Sequence, residues 1–348
     1  MAFNSSQLHI NVPLTDLAVA YRAEEDGYLW SVLLPPKVVN KRSNLIRSID
    51  KGQLLRTYEL RSGKGGAVSE IQFKVGANQS YMAVDYSVEA VLSGTESMEA
   101  DEILEYEAEQ IYACAIAMNT NLEIVTIRDT LRSTAVMTSN VTLLPASYWD
   151  NYNSLQSNPV EDIKVGCLRV RVATGHMPNK IVLHDYVWDR VQRHPTVLAR
   201  GGVHPTGGAI VSIPQFEEIL GVAPGTITLT AQQYNTALED QTPEYRAMIG
   251  GDCIIAYVAP PSTRSYSLGC SFQFNGSSVG GSGEIVKDLE APFVVYEFPT
   301  WDRDARQSVV HRLVGGLDQK VLVPEAGYLI KSCVDVSNQA RYGTMLLS

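Results

Sequence analysis

The sequence predicts an α+β fold in which one long helix lies against strands, and three observations carry that expectation. First, apolar and polar residues alternate from Ile71 to Val75 and again from Tyr81 to Val91, the period-2 mark of strands with two unlike faces. Second, Leu104, Ala108, Ile111, Ala115, Met118, Leu122 and Val125 are spaced by four and three residues in turn, an unbroken stripe along one helix face. Third, beyond residue 165 strand and helix signals alternate without any internal repeat.

Taken in order, residues 1–40 read as an extended N-terminal arm, with Pro13, the Pro35-Pro36 pair and a short helix near 14–23. A stretch with so little pattern of its own is suited to lying on a neighbouring chain. Residues 41–80 read as a long hairpin. One strand covers 54–60, Arg61 to Gly66 turn, with glycines supplying positive φ, and Ile71, Phe73 and Val75 lie on the returning strand. The strand over 81–91 places Val84, Tyr86, Val88 and Ala90 on one face.

A helix is predicted over 99–132. Thr95 or Ser97 caps it, and Glu96, Glu99, Asp101 and Glu102 lie near its first turn, where the helix dipole favours anions. No Pro or Gly interrupts 100–141, and 99–132 as a continuous helix is roughly 50 Å long at about 1.5 Å per residue. The small and flexible residues on the stripe suit packing on a sheet; a coiled coil is the alternative. Further on, strands are predicted over 180–183, 226–230, 253–259, 271–274, 293–298 and 320–323. Helices are predicted over 186–194, with Val187, Trp188 and Val191 inward, and over 215–220 between Pro214 and Gly221. Residues 275–283 read as a Gly/Ser loop. The resulting divisions are arm 1–40, hairpin 41–80, a unit over 81–165 carrying the long helix, a second unit over 166–305, and return strands over 306–348.

Composition narrows the function. The chain has 348 residues and a net charge of −10, which excludes a whole-surface grip on nucleic acid. Charged residues make up 19%, below the usual level of about a quarter, which favours burying surface against other chains. The five cysteines are widely separated with no C-x-x-C, so reduced, buried thiols are expected rather than a disulfide or zinc framework. Met1 to Asn4 lack the features of a signal peptide, and the apolar run 111–118 is too short to span a bilayer, so a soluble chain without membrane contact is expected.

Letter matches to catalytic motifs fail by context. Gly276-Ser277-Ser278-Val279-Gly280 fits G-x-S-x-G, but the glycines after it cannot start the helix that a nucleophile elbow needs. Ser48-Ile49-Asp50-Lys51 has no companion motifs, and Gly63-Lys64-Gly65-Gly66 lacks P-loop spacing. His176, His184, His194 and His204 lie near turns and read as surface or capping residues. No catalytic, cofactor-binding or metal-binding residue is predicted, and the chain is not read as an enzyme.

Charge is distributed unevenly. Lys37, Lys41, Arg42, Arg47, Lys51, Arg56, Arg61 and Lys64 face only Asp50 and Glu59 over the same stretch, and the acidic helix start follows. The expected subunit interface therefore sets Arg42, Arg47, Arg56, Arg61, Lys64, Ile71 and Phe73 of one subunit over Glu99, Asp101, Glu102 and Glu105 of the next, with charge setting register.

Local stretches add a resemblance. Leu34-Pro35-Pro36-Lys37-Val38 with Gly-rich 61–67, then 81–89 ahead of the acidic helix, then Trp149 with Pro159 to Ile163 occur in that order. Gly175 to Leu183 with Trp188 and His194-Pro195, Leu220-Gly221-Val222, Tyr234-Asn235 and Ser267-Leu268-Gly269 follow. The order resembles the major capsid proteins of tailed phages, those with the Hong Kong-type (Johnson) fold, over most of residues 30–300. The resemblance implies an N-terminal arm, an extended loop, a peripheral domain with a spine helix and an axial domain. It also implies self-assembly into hexamers and pentamers of an icosahedral head shell around packaged double-stranded DNA held without sequence-specific binding. Scaffold, portal and decoration proteins are the further partners implied, in a virion capsid assembled in the host cytoplasm. No long extension precedes residue 30, so a separate scaffold, or none, is expected. Lys64 stands at a hairpin tip, but no matching Asn and Glu is seen, so no crosslink is predicted. An encapsulin-like shell is the alternative of the same fold, and a hydrolase using Ser278 is the alternative of another class.

Overall fold

A computed structural model describes residues 9–10, 28–46, 79–92, 103–202, 210–238, 241–259, 267–274, 293–301 and 307–335. The first elements are β1 (His9–Ile10), a one-turn helix α1 (Trp30–Leu33), β2 (Pro36–Val39) and β3 (Ser43–Ile46), and then β4 (Gln79–Met82) and β5 (Val84–Leu92). β3 and β4 pair antiparallel from Ser43↔Met82 to Ile46↔Gln79, which closes the root of the segment between them. The helix expected near 14–23 and the hairpin strands and turn expected over 54–75 lie outside the described residues.

The long helix is α2 (Ile103–Glu123), and the chain continues in π-helical form over Ile124–Leu131. The predicted stripe holds at Ile111, Ala115, Met118 and Leu122, all buried. It fails at Val125, which is only half-buried. A π turn is wider than an α turn, so the buried face passes instead to Thr126, Ile127 and Leu131. The helix start expected at 99–102 lies outside the described residues.

There follow β6 (Asn140–Thr142), α3 (Pro159–Thr174), β7 (Lys180–His184), α4 (Asp185–Val191), α5 (Pro195–Arg200), α6 (Ile213–Leu220) and β8 (Ile227–Thr230). The chain then forms β9 (Gln233–Asn235), β10 (Tyr245–Ala247), β11 (Cys253–Ala256), β12 (Gly269–Phe274), β13 (Val294–Trp301), β14 (Gln307–Val321) and β15 (Gly327–Lys331). Helix α3 was not anticipated, although its signals are in the sequence. Asn158 caps it by accepting from Glu161 N, Pro159 opens it, and Gly175 closes it at φ 82°. β14 was anticipated only at its end, because Gly315-Gly316 and its charged residues obscure the strand pattern.

Two sheets organise the chain. In the first the order is β1-β13-β14-β12-β2, with β5 also on β14. Its inner face meets α2 in a core of Ile111, Ala115, Met118 and Leu122 against Phe293, Val295, Leu313 and Leu317, with Tyr86, Val88 and Ala90 from β5. The one-sided helix therefore packs on a sheet. Val84, expected on this face, is instead exposed. In the second sheet the order is β6-β15-β11-β7-β8. Ile181, Leu183, Cys253, Ile255 and Ile330 face α3, α4 and α6. The alternate residues Val182, Ile254, Ala256 and Leu329 face Leu29, Leu33, Leu34, Ile127 and Leu131. A sheet covered on both sides reads as continuous apolar runs, as Cys253–Ala256 does.

Gly269 stands where β12 crosses the end of β14 and meets α1. A Cβ there would press on the Lys320 carbonyl and come within 2.7 Å of Leu34 Cδ2. Gly269→Ala is expected to destabilise by about 3 kcal/mol, since backbone yields less readily than a side chain. Denaturant unfolding of the purified chain measures it.

Candidate subunit interface and its buried supports

The root of the loop between β3 and β4 is fastened to the first sheet by several contacts. Tyr81 stacks on Phe272 with ring centroids 4.4 Å apart, and its hydroxyl donates to Lys41 O at 3.1 Å. Met82 N donates to Asp318 Oδ2 at 2.7 Å, and Ala83 N to Arg42 O at 2.8 Å. Arg42 pairs with Asp85 of its own chain at 2.8 Å, and its guanidinium lies 5.4 Å from the Phe274 ring centroid. On the same outer face Arg312 pairs with Glu89. Around this root Val38, Leu45, Met82 and Val84 remain exposed, as does Val91 at the other end of β5.

Among the predicted interface residues, the structure thus places Arg42 and gives it a partner within the chain. Arg47, Arg56, Arg61, Lys64, Ile71, Phe73, Glu99, Asp101 and Glu102 lie outside the described residues. Glu105 falls in the first turns of α2.

A second exposed surface was missed by sequence reasoning. Helix α3 buries Val160, Ile163, Cys167 and Val170 and turns Val165, Leu168 and Val172 outward, with Leu168 59% and Val172 72% exposed. Two interleaved apolar stripes within 159–174 are the signal that could have found it. Its flank carries the Glu161–Arg200 pair at 3.7 Å.

The buried polar groups are structural supports. Ser157 Oγ lies 3.0 Å from His194 Nε2, an arrangement that resembles a nucleophile and its base. The serine hydroxyl, however, donates to Tyr148 O at 2.7 Å. His194 Nδ1 accepts from Thr196 N at 3.2 Å and lies 2.7 Å from Thr196 Oγ1. The assignment that satisfies every group puts the proton on Nε2, donating to the serine, so this imidazole cannot take the serine's proton. Burial holds His194 down at about 4, keeping it neutral. His184 likewise caps α4 by accepting from Tyr186 N, as the turn-associated histidines were expected to do. Trp149 Nε1 donates to Asp162 Oδ2 at 2.9 Å, tying the preceding loop to α3. Arg132 pairs with Asp252 at 2.8 Å, and Asp252 also accepts from Ser332 N, which joins the end of the π-helical segment to β11 and β15.

All five cysteines are buried, and burial raises the Cys167 and Cys270 thiols to about 11, far from a reactive thiolate. Ser278 and Ser48 lie outside the described residues. Among those described, no cluster of His, Cys, Asp or Glu is suited to hold a metal ion, and no helix is long and apolar enough to cross a membrane.

No protein-family model matches the sequence, and no curated protein matches it. Solved structures do match the fold. A phage-related protein from Bordetella bronchiseptica RB50 superposes with a TM-score of 0.67 at 19% identity, over 93% of this chain and 97% of that one. A virus-like particle protein from Pyrococcus furiosus gives 0.51 at 11% identity, over 92% and 98%. The capsid of cyanophage P-SCSP1u gives 0.50 at 9% identity, over 86% of each chain. The fold is that of the tailed-phage capsid proteins, as the order of sequence motifs implied.

His194 sets a pH dependence. Its folded value of about 4 lies below its ordinary value of 6.5, so the unfolded chain takes up the proton first as pH falls. Its contribution to stability is complete above the ordinary value and is lost as pH falls toward about 4. Thermal unfolding between neutral pH and pH 4 should show this slope in the native chain and a shallower one in His194→Gln.

Proposed function

We propose that this chain is the major subunit of an icosahedral shell of the tailed-phage type, assembling into hexamers and pentamers that enclose double-stranded DNA. The observation that carries the reading is the fold, shared with the cyanophage capsid over 86% of this chain and with the phage-related protein over 93%. The arrangement of exposed surface supports it. The apolar residues at the loop root and the outer stripe of α3 are left uncovered by the chain's own elements, and β5 pairs with β14 along only one of its edges among the described residues. Edges and apolar faces of this kind are stabilised when a neighbouring copy covers them.

On this reading the first sheet with α2 forms the peripheral domain and the second sheet with α3 to α6 the axial one. The segment between β3 and β4 is the extended loop. Its bases Arg47, Arg56, Arg61 and Lys64, with Ile71 and Phe73, reach the acidic start of α2 on the next subunit, at Glu99, Asp101, Glu102 and Glu105. Arg42, paired with Asp85 and still half exposed at the loop root, joins these bases at the same interface. A net charge of −10 suits a shell that holds DNA loosely. The product is a virion head assembled in the host cytoplasm.

Light scattering and negative-stain electron microscopy of the full chain should show closed shells, or rings of five and six. A monomer persisting at high concentration would count against the proposal, and shells that enclose protein cargo rather than DNA would point to the encapsulin-like alternative. Leu168→Glu should reduce assembly while leaving thermal unfolding of the subunit unchanged, because the side chain is already in water within one chain. Raising salt should slow assembly by screening the loop against the acidic helix start.

A further inference from the structure

Glu123 closes α2 with its carboxylate fully buried, and both of its oxygens are committed to a distant part of the chain. One accepts from Leu29 N at 3.0 Å and the other from Trp30 N at 2.7 Å. These N–H groups open α1, whose N-cap residue, Leu29, makes no side-chain cap of its own. Residues 28–34 carry no charged side chain. Other buried carboxylates are placed differently: Asp252 has Arg132, and Glu217 accepts from Gly225 N and Ile227 N close by in its own loop.

Among the described residues the surroundings offer Glu123 no countercharge. From the packed strands the titratable groups on the face toward α2 are Tyr86 on β5, Glu297 on β13 and His311 on β14. On the π-helical segment Arg128 is taken by Asp129, and Arg132, just beyond it, by Asp252. None of these charges moves Glu123. Burial pushes it up and the two N–H groups pull it down; burial prevails, and the carboxyl stands at about 7. One helical turn earlier Asn119 is 2% exposed, and its Oδ1 has no hydrogen-bond partner. An acceptor left open at i−4 is what the O–H of a protonated Glu123 would require.

We infer that Glu123 is a proton-controlled catch on the segment 28–34, which docks most tightly with the carboxyl protonated and slackens as it ionises. In the protonated form one oxygen still accepts an N–H and no bare charge is buried. In the ionised form both N–H groups are held, but an anion sits in the core with no cation beside it among the described residues. Undocking returns the group to water and its ordinary acidity, so docking and proton uptake are linked. The folded value is raised, so the contribution is complete below the ordinary value of 4.5 and is lost as pH rises through about 7. Segment 28–34 leads directly through Pro35 into β2, so the catch acts at the entry to the loop root.

Hydrogen–deuterium exchange of the full chain, corrected for intrinsic rates, tests this from pH 5.5 to 8.5. Protection of peptides covering 28–34 should fall at least about tenfold as pH rises from 5.5 to about 7 and level off above it, while β7 peptides stay constant. Glu123→Gln should abolish that dependence. A pH-independent signal at 28–34 in the native chain would overturn the inference whether or not the variant folds, and so would an unchanged dependence in a folded Glu123→Gln.

Discussion

The architecture depends on a single helical turn shared by two cores. α1 sends Trp30 into the core beneath α2 and Leu29, Leu33 and Leu34 into the core beneath the second sheet. Each such side chain contributes about 1.5–3 kcal/mol on burial, so a stretch this short stabilises both units at once. A turn so deeply enclosed leaves backbone polar groups that water cannot reach. Glu123 accepts the N–H groups at its start, and Ser271 donates its hydroxyl to Leu34 O at its end, at 3.0 Å. The π-helical segment, where α2 widens its turn, then carries Ile127 and Leu131 into the same second core.

Among the described residues, buried ionisable groups join separate elements of the molecule. Arg132 with Asp252 joins the end of the π-helical segment to the second sheet. Ser157 with His194 joins the loop before α3 to the start of α5. In each case the polar atoms are committed to one another or to backbone. They are arranged to hold elements in place.

The outer surface tells the complementary story. Among the described residues, exposed apolar side chains include those at the loop root and along the outer stripe of α3, besides Leu144, Leu155, Ile210 and Leu238 elsewhere. On the proposed shell reading, two separate exposed apolar faces would let a subunit meet different neighbours with different surfaces. Arg42 pairs with Asp85 within the chain, which ties the link between β2 and β3 to β5, and both side chains remain about half exposed.

Much of this fold was legible from local pattern. The stripe from Ile111 to Leu122, the inward Val187, Trp188 and Val191, the closure of α6 by Gly221, and the strands around 180–183 and 271–274 follow from periodicity and caps, which act within a few residues. Helix α3 was equally available through Asn158, Pro159 and Gly175. What the sequence by itself determined was which segments are helical or extended and which of their faces are apolar. Only tertiary structure decided what each face meets. Val125 yields to Ile127 because the π turn brings the chain to a second core, and Val84 is exposed although it follows the alternation of β5. Glu123 is buried although its position on a helix reads as ordinary surface. The reason is physical: periodicity is set by the dihedral angles of neighbouring residues, whereas the partner of a carboxylate or an apolar face is set by residues far along the chain, brought close only by packing.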